Sequence, residues 1–257
     1  MARLALRVAP YRICLCILLL LLVCELALQG QAKKPAEPSG PVIAVGDVHG
    51  DFGDFVIILQ RTGLIDVQHH WTSGGATLVQ VGDLLDRGPK PREVMDLMMS
   101  LEKEAVQAGG QVVGLIGNHE MMNIMGDLRY VTPRDFASYT DSNSAARQAA
   151  AFQEYKKWRR NHSALMTELP QPRESTEAEW KARHPQGYVE QREAFSPNGS
   201  YGKWLREHSA VAKLNGVIFL HGGIRPNLAK MKLDLINSRI ADDIKAFDKA
   251  KQCRVKS

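Results

Sequence analysis

Gly82-Asp83-Leu84-Leu85-Asp86-Arg87-Gly88 places two carboxylates and one guanidinium within five residues. One Asp can bind a hard cation through oxygen, a second can orient a neighbouring imidazole, and a planar guanidinium can grip two oxygens of a phosphate. Alone, the segment also fits a turn with an Asp–Arg ion pair and glycines chosen for positive φ. Three further segments argue against that simpler reading: Gly46-Asp47-Val48-His49-Gly50, Gly117-Asn118-His119-Glu120 and His221-Gly222-Gly223. Each of the four follows an apolar run, at residues 41–45, 77–81, 111–116 and 216–220. A short β-branched run ending in such a motif reads as a buried strand. It delivers its polar side chain to the C-terminal edge of the sheet, where open α/β sheets hold their ligands.

Helical spacing separates the first three runs. Phe52, Phe55, Val56 and Leu59 form one apolar face that ends at Gly63, and after Pro89 the positions Val94, Leu97, Met98, Leu101 and Ala105 repeat the pattern as far as Gly109-Gly110. Met95, Met98 and Met99 in that stripe read as core filler. Strand and helix in alternation imply a mostly parallel sheet covered by helices. The rhythm stops from about 130 to 209. Thr132-Pro133 and the pair Thr176/Glu179 are helix-start signatures there, and aromatic residues such as Phe152, Trp180, Phe195 and Trp204 are spaced through a charged background. This reads as a mainly helical insertion whose aromatics form its own small core. His162, His184 and His208 lack ligand spacing and read as surface residues. Leu233 to Phe247 is helix-like and is followed by a basic tail, Lys249 to Lys256.

The ordered blocks GDxHG, GDxxDRG, GNHE and HGG resemble the calcineurin-like metallophosphoesterases, most closely the phosphoprotein phosphatase family. Asn118-His119-Glu120-Met121-Met122-Asn123 followed by Asp127-Leu128-Arg129-Tyr130-Val131 is similar to its bacterial-type Shewanella-like branch. The resemblance spans roughly Val42 to Asn227. It implies an α/β fold of β-α-β sheet layers flanked by helices, with an incomplete C-terminal sheet. It also implies a metal-dependent phosphomonoester hydrolase with two divalent cations, Mn, Fe or Zn by the mixed oxygen and nitrogen donors. Asp47, His49 and Asp83 would bind the first cation, and Asp83, Asn118 and His221 the second, with a water shared between the two as nucleophile. By the same similarity His119 protonates the departing alkoxide, Asp86 holds its ring, and Arg87 binds the phosphate oxygens. The implied partner is a protein phosphorylated on Ser/Thr or Tyr, or a small phosphoester. A nucleotide-polyphosphate hydrolase, or a weakly active or inactive metal- and phosphate-binding relative, are the alternatives. The chain departs from the pattern at three points. Ile116 stands where the family often has Arg, with Arg225 as a candidate replacement. No histidine follows His221. The Gly-His block and later strands of the family are missing, so the sequence reads as a truncated relative whose second metal is one ligand short.

The first residues read as targeting rather than fold. Arg3, Arg7 and Arg12 precede the aliphatic run Ile13 to Val23, and small residues follow at Gly30 and Ala32, as in a cleaved signal peptide spanning 1–32. The expected division is therefore a signal at 1–32, a Pro- and Lys-bearing linker at 33–41 and a metallophosphoesterase domain at 42–257. The expected location is secreted or periplasmic, with an uncleaved membrane anchor as the alternative; no stable membrane span is expected. Cys14, Cys16 and Cys24 lie in the signal, leaving Cys253 without an intramolecular partner. The signal carries three Arg and one Glu, so the formal charge falls from +5 to +3 on its removal, too little and too mixed with acids for nucleic-acid binding.

Overall fold

The computed structural model describes residues 39–161 and 176–256. The expected signal peptide, most of the expected linker and His162 lie outside these residues. The apolar runs become strand β1 (Val42–Val45), helix α1 (Phe52–Arg61), β2 (Thr77–Gln80), α2 (Pro91–Gln107), β3 (Gln111–Gly114) and α3 (Asn118–Met125). β1, β2 and β3 pair in parallel in that order, with Ala44 beside Val79 and Val79 beside Val113. Every residue of β2 is buried, because both faces of the central strand are covered. Leu78 points into the cluster formed with α1 and α2, whereas Val79 packs with Val113, Leu115, Ala212 and Leu214 on the other side.

The face of α1 is the expected one, with Phe55, Val56 and Leu59 buried. In α2, Met95 and Met98 are fully enclosed core residues. That helix opens on Pro91 rather than at Pro89. The Gly88 and Lys90 N–H groups donate to the His49 and Gly50 carbonyls at 2.8 and 3.1 Å, which ties this stretch to the first motif and keeps it out of the helix. The fixed φ of proline suits the first helical position, so Pro91 takes it.

Between β3 and β4 the described residues form helices and irregular segments only: α4 (Pro133–Ser138), α5 (Ser144–Asn161), α6 (Glu177–Arg183), α7 (Tyr188–Ala194) and α8 (Ser200–Arg206). Thr132 caps α4 through the Asp135 N–H, and Thr176 and Glu179 form a reciprocal capping box on α6. Phe152 and Trp180 are buried against one another, their rings 5.6 Å apart, as expected of a separate small core, but Phe195, Tyr201 and Trp204 are buried in the main cluster with Met95, Met98 and Leu101, which corrects that reading for them. Two histidines correct the surface reading. The His184 ring stacks on Trp180 at 4.1 Å, and the His208 side chain, 7% exposed, lies against Gly114, where a Cβ would fall 2.5 Å from its ring. Neither position carried a periodic signal: His184 is half-buried by the local stack with Trp180, and the His208 side chain is enclosed by Gly114 and Glu102, distant in the chain.

The chain then forms the antiparallel pair β4 (Val211–Leu214) and β5 (Val217–Leu220), turned by Asn215 and Gly216 at φ 48° and 80°. β4 is not one of the four apolar runs, although Asn-Gly between apolar segments is the strongest short hairpin signal. Lys213 broke the apolar run there. Helix α9 (Leu233–Lys256) continues through the basic tail and lies against β4. Asn237 accepts from the Ala210 and Val211 N–H groups and donates to the Val211 carbonyl, closing that strand edge. Arg206 clamps Asp248 through two 2.8 Å bonds. No helix among the described residues is long and apolar enough to cross a membrane.

Candidate metal and phosphate site

The parallel strands end at one edge, and the loops that leave β1, β2 and β3 are stitched together there. The Val48 and His49 N–H groups both donate to the Asp83 carbonyl at 2.9 Å, and Gly50 N–H donates to Leu84 at 2.8 Å. His49, Asp83, Asp86 and Arg87 sit at φ 49°, 57°, 67° and 64°, left-handed values that cost residues with a side chain on the order of 1 kcal/mol or more each. Gly82, at φ 100°, is required on two counts, because a Cβ there would also fall 2.6 Å from the Gly117 nitrogen. Strain persists only where the surroundings over-determine it, and Glu120 supplies much of that constraint. Its fully buried carboxylate accepts from the Asp83 and Gly117 N–H groups at 2.8 Å and from Leu84 at 2.9 Å. Burial pushes its carboxyl upward, while these donors oppose the shift.

The residues singled out by spacing come together. Asp83 Oδ1 takes the His119 N–H at 3.0 Å, which leaves Oδ2 facing three imidazole nitrogens. These are Nε2 of His221, His49 and His119, at 3.2, 3.7 and 3.8 Å. Asp47 reaches His49 Nε2 at 3.8 Å and His221 Nδ1 at 3.6 Å, and Asn118 Oδ1 lies 3.0 Å from His221 Nε2. His49 Nδ1 lies 2.9 Å from the Leu85 carbonyl, a partner that can only accept, so Nδ1 carries the proton and Nε2 presents its lone pair to the cluster. His49 Nε2 and His221 Nδ1 are buried and lack a hydrogen-bond partner. Such orphaned nitrogens beside carboxylates suit a divalent cation, and the groups Asp47/Asp83/His221 and His49/Asp83/His119 each bring three potential donor atoms within 4.8 Å of one another.

His119 Nδ1 lies 2.7 Å from Asp86 Oδ2, with both side chains 1% exposed. Its Nε2 lies 3.3 Å from the Arg87 guanidinium. Tyr130, not singled out individually from the sequence, borders this pair: its carbonyl accepts from Arg87 N–H, its ring lies 5.1 Å from the His119 ring, and Arg87 sits 5.7 Å over it. Asp47, Asn118 and Arg87 form the exposed rim over a buried base of Asp83, Asp86 and His119. Beside Asn118 and His221 opens a mainly apolar cleft of about 380 Å³ that includes Ile116, Ile236 and Ile240. Arg225 is exposed on the loop after Gly223.

Behind Asp86, the buried Asp135 has an Oδ1 without a partner. Burial, then the charges of Asp86 and Glu93, push its carboxyl up to about 7. A carboxyl whose folded value exceeds its unfolded value of about 3.9 binds more protons when folded, so its favourable contribution is complete below pH ~4 and lost as the pH rises towards 7. Asp135→Asn is therefore expected to raise the melting temperature little at pH 4 and most at pH 8, where the gain approaches a few kcal/mol. Melting curves at the two pH values test this, and a pH-independent difference rejects it.

Glu120, Asn123 and Gln191 also escaped functional assignment from sequence. Glu120 was part of a recognised block without a role, Asn123 lies one helical turn beyond His119, and Gln191 stands on a helix remote in sequence with no signal of its own.

The calcineurin-like phosphoesterase family matches residues 40–249. An uncharacterized protein of Schizosaccharomyces pombe is 47% identical over 108 residues, 41% of this chain and 32% of that one. Shewanella-like protein phosphatase 2 of Arabidopsis thaliana is 30% identical, over 86% of this chain and 54% of its own. Among solved structures, a cold-active protein-tyrosine phosphatase of a psychrophilic Shewanella species superposes with a TM-score of 0.57 at 26% identity, covering 83% of this chain and 52% of that one. The chain thus spans between about a third and about half the length of these proteins. With the matched segment running from the start of β1 into α9 and including every strand-end motif described above, the chain belongs to the calcineurin-like phosphoesterase family.

Proposed function

We propose that this chain hydrolyses phosphomonoesters, with phosphorylated proteins as the substrate class. The observation that carries the proposal is the convergence of three imidazole nitrogens on Asp83 Oδ2, with two buried ring nitrogens left unpartnered. Asp47, His49 and Asp83 would hold one divalent cation, and Asp83, Asn118 and His221 a second. When bound, such cations supply Lewis-acid charge stabilisation to a phosphate and lower the pKa of water.

The remaining roles belong to the side chains. In the geometry described, Arg87 donates to His119 Nε2 while Asp86 accepts from Nδ1, which describes a neutral ring. A phosphate that draws the Arg87 guanidinium onto its own oxygens by a bidentate contact frees Nε2 to take up a proton from solvent. Asp86 then stabilises the imidazolium, and Nε2 delivers its proton to the leaving oxygen. The Tyr130 ring, 5.7 Å from the Arg87 guanidinium, offers it a cation–π contact in that position.

The test is hydrolysis of p-nitrophenyl phosphate and of phosphotyrosine and phosphoserine peptides by the Mn-supplemented chain. His119→Asn is expected to lower kcat by about 10²–10⁴-fold with metal content unchanged. Loss of bound metal in that variant, read by elemental analysis, would make His119 a ligand and reject its role as acid.

A further inference from the structure

The His119–Asp86 pair is not the end of a hydrogen-bonded chain but its middle. Asn123, one turn along α3, donates through Nδ2 to Asp86 Oδ1 and to the His119 carbonyl, both at 3.0 Å. Both partners can only accept, so the orientation of the Asn123 amide is decided by chemistry: its oxygen must point away. Gln191, reaching in from α7, donates to that oxygen at 2.8 Å, and its own amide orientation follows in turn. Asn123 and Gln191 are each 1% exposed. Next to Gln191, Arg192 donates to the Asn123 carbonyl at 2.5 Å and to the Ile124 carbonyl at 3.4 Å, so the same turn of α7 grips the end of α3.

Gln191 Oε1 is buried without a partner. An amide that leaves half of its polar surface unsatisfied is a poor choice for packing alone, where an apolar residue of that volume avoids the desolvation cost. Its donor half, by contrast, is used on the one atom that sets the orientation of Asn123.

We infer that Gln191 is a positioning residue of the helical segment that acts on the reaction through Asn123 and Asp86, holding the His119 imidazole in the orientation from which it protonates the leaving oxygen. The inference rests on the reading of His119 as the general acid. Gln191→Met keeps the volume and removes both polar ends. Asn123 then loses the donor that fixes its amide, Asp86 loses a fixed partner, and the ring gains freedom.

A positioning role predicts dependence on the leaving group, which a merely structural role does not. Phenyl phosphate departs as a strongly basic oxyanion and needs the proton; 2,4-dinitrophenyl phosphate does not. In the Mn-supplemented full chain, Gln191→Met is expected to lower kcat for phenyl phosphate by up to about tenfold, the equivalent of one hydrogen bond. For the dinitrophenyl ester the loss should stay within about twofold. Combined with Asp86→Asn, the substitution should add no further selectivity, since the link it works through is already cut. Gln191→Leu gives the same reading if the Met variant does not fold. Equal slowing of both esters, no slowing, or undiminished selectivity on the Asp86→Asn background overturns the inference. If His119→Asn slows both esters equally, the assignment of the acid itself fails and the inference falls with it. If His119→Asn is selective and the Gln191 variants are not, only the link through Gln191 is wrong.

Discussion

Asp83→Asn is expected to reduce phosphatase turnover by at least about a thousandfold, corresponding to about 4 kcal/mol at 1.36 kcal/mol per tenfold. The substitution is nearly isosteric, and Oδ1 can still accept the His119 N–H. What changes is Oδ2, the atom faced by His221, His49 and His119 at 3.2 to 3.8 Å. With Oδ1 kept on the His119 N–H, the amide nitrogen takes the place of Oδ2; it is neutral, its lone pair is delocalised and unavailable to a cation, and its N–H groups turn towards ring nitrogens. A carboxylate shared by two proposed cations loses its charge for both, and metal-based stabilisation of a phosphoryl transition state is worth several kcal/mol. Side-by-side assays of p-nitrophenyl phosphate hydrolysis and metal content decide the matter. Turnover near the parental rate would remove Asp83 from the centre of the site. The far smaller loss expected for Gln191→Met provides an internal scale, because that residue acts through three hydrogen bonds, by way of Asn123 and Asp86, before the ring is reached.

Glu120→Leu is expected to lower the melting temperature by roughly 10–20 °C, about 5 kcal/mol at this chain length. The carboxylate takes three buried backbone N–H groups, from Asp83, Leu84 and Gly117. Leucine fills the volume but accepts nothing, and each buried donor left unmet costs about 1–3 kcal/mol. Two of those donors, Asp83 and Leu84, belong to the loop that holds Asp83 in its left-handed conformation, so the variant should lose activity at temperatures where it is still folded. Glu120→Gln, which keeps one accepting oxygen, should fall between. A Glu120→Leu melting point within a few degrees of the parent would show that water or a local shift satisfies these donors.

Which polar residues stand together at one edge of the sheet was legible from the chain alone. Asp47, His49, Asp83, Asp86, Arg87, Asn118, His119 and His221 each directly follow, or lie within a few residues of, a short apolar run. Strand periodicity delivers such residues to one sheet edge before any tertiary contact is known. The enclosed face of α2, the helix caps at Thr132 and Thr176, and the parallel pairing of β1, β2 and β3 were legible for the same reason: spacing and capping are local. The start of α2 at Pro91 and the burial of the His208 side chain depended on contacts with segments far along the chain, whereas the hairpin strand β4 and the stacking of His184 on Trp180 are local features that the interrupting Lys213 and the lack of apolar spacing hid.

The fine structure of the site belongs to the same second category. Sequence types nominate His49 and His119 equally as imidazoles. Only the fold puts Leu85 O against one Nδ1 and Asp86 against the other, so that both rings carry a proton on Nδ1 but only the second is backed by a carboxylate that can stabilise an imidazolium. The sequence motif contains Glu120, whose bond to the Gly117 N–H is a local helix cap, but its task as acceptor for the Asp83 and Leu84 N–H groups exists only once β2 and β3 lie side by side. Gln191 reaches Asn123 across 68 positions of chain, and no periodicity or motif encodes an amide pairing of that kind. Local sequence decided which atoms stand at the edge of the sheet. Long-range packing decided their tautomers, their strain and their partners, because these depend on which distant carbonyl, carboxylate or amide lies within about 3 Å.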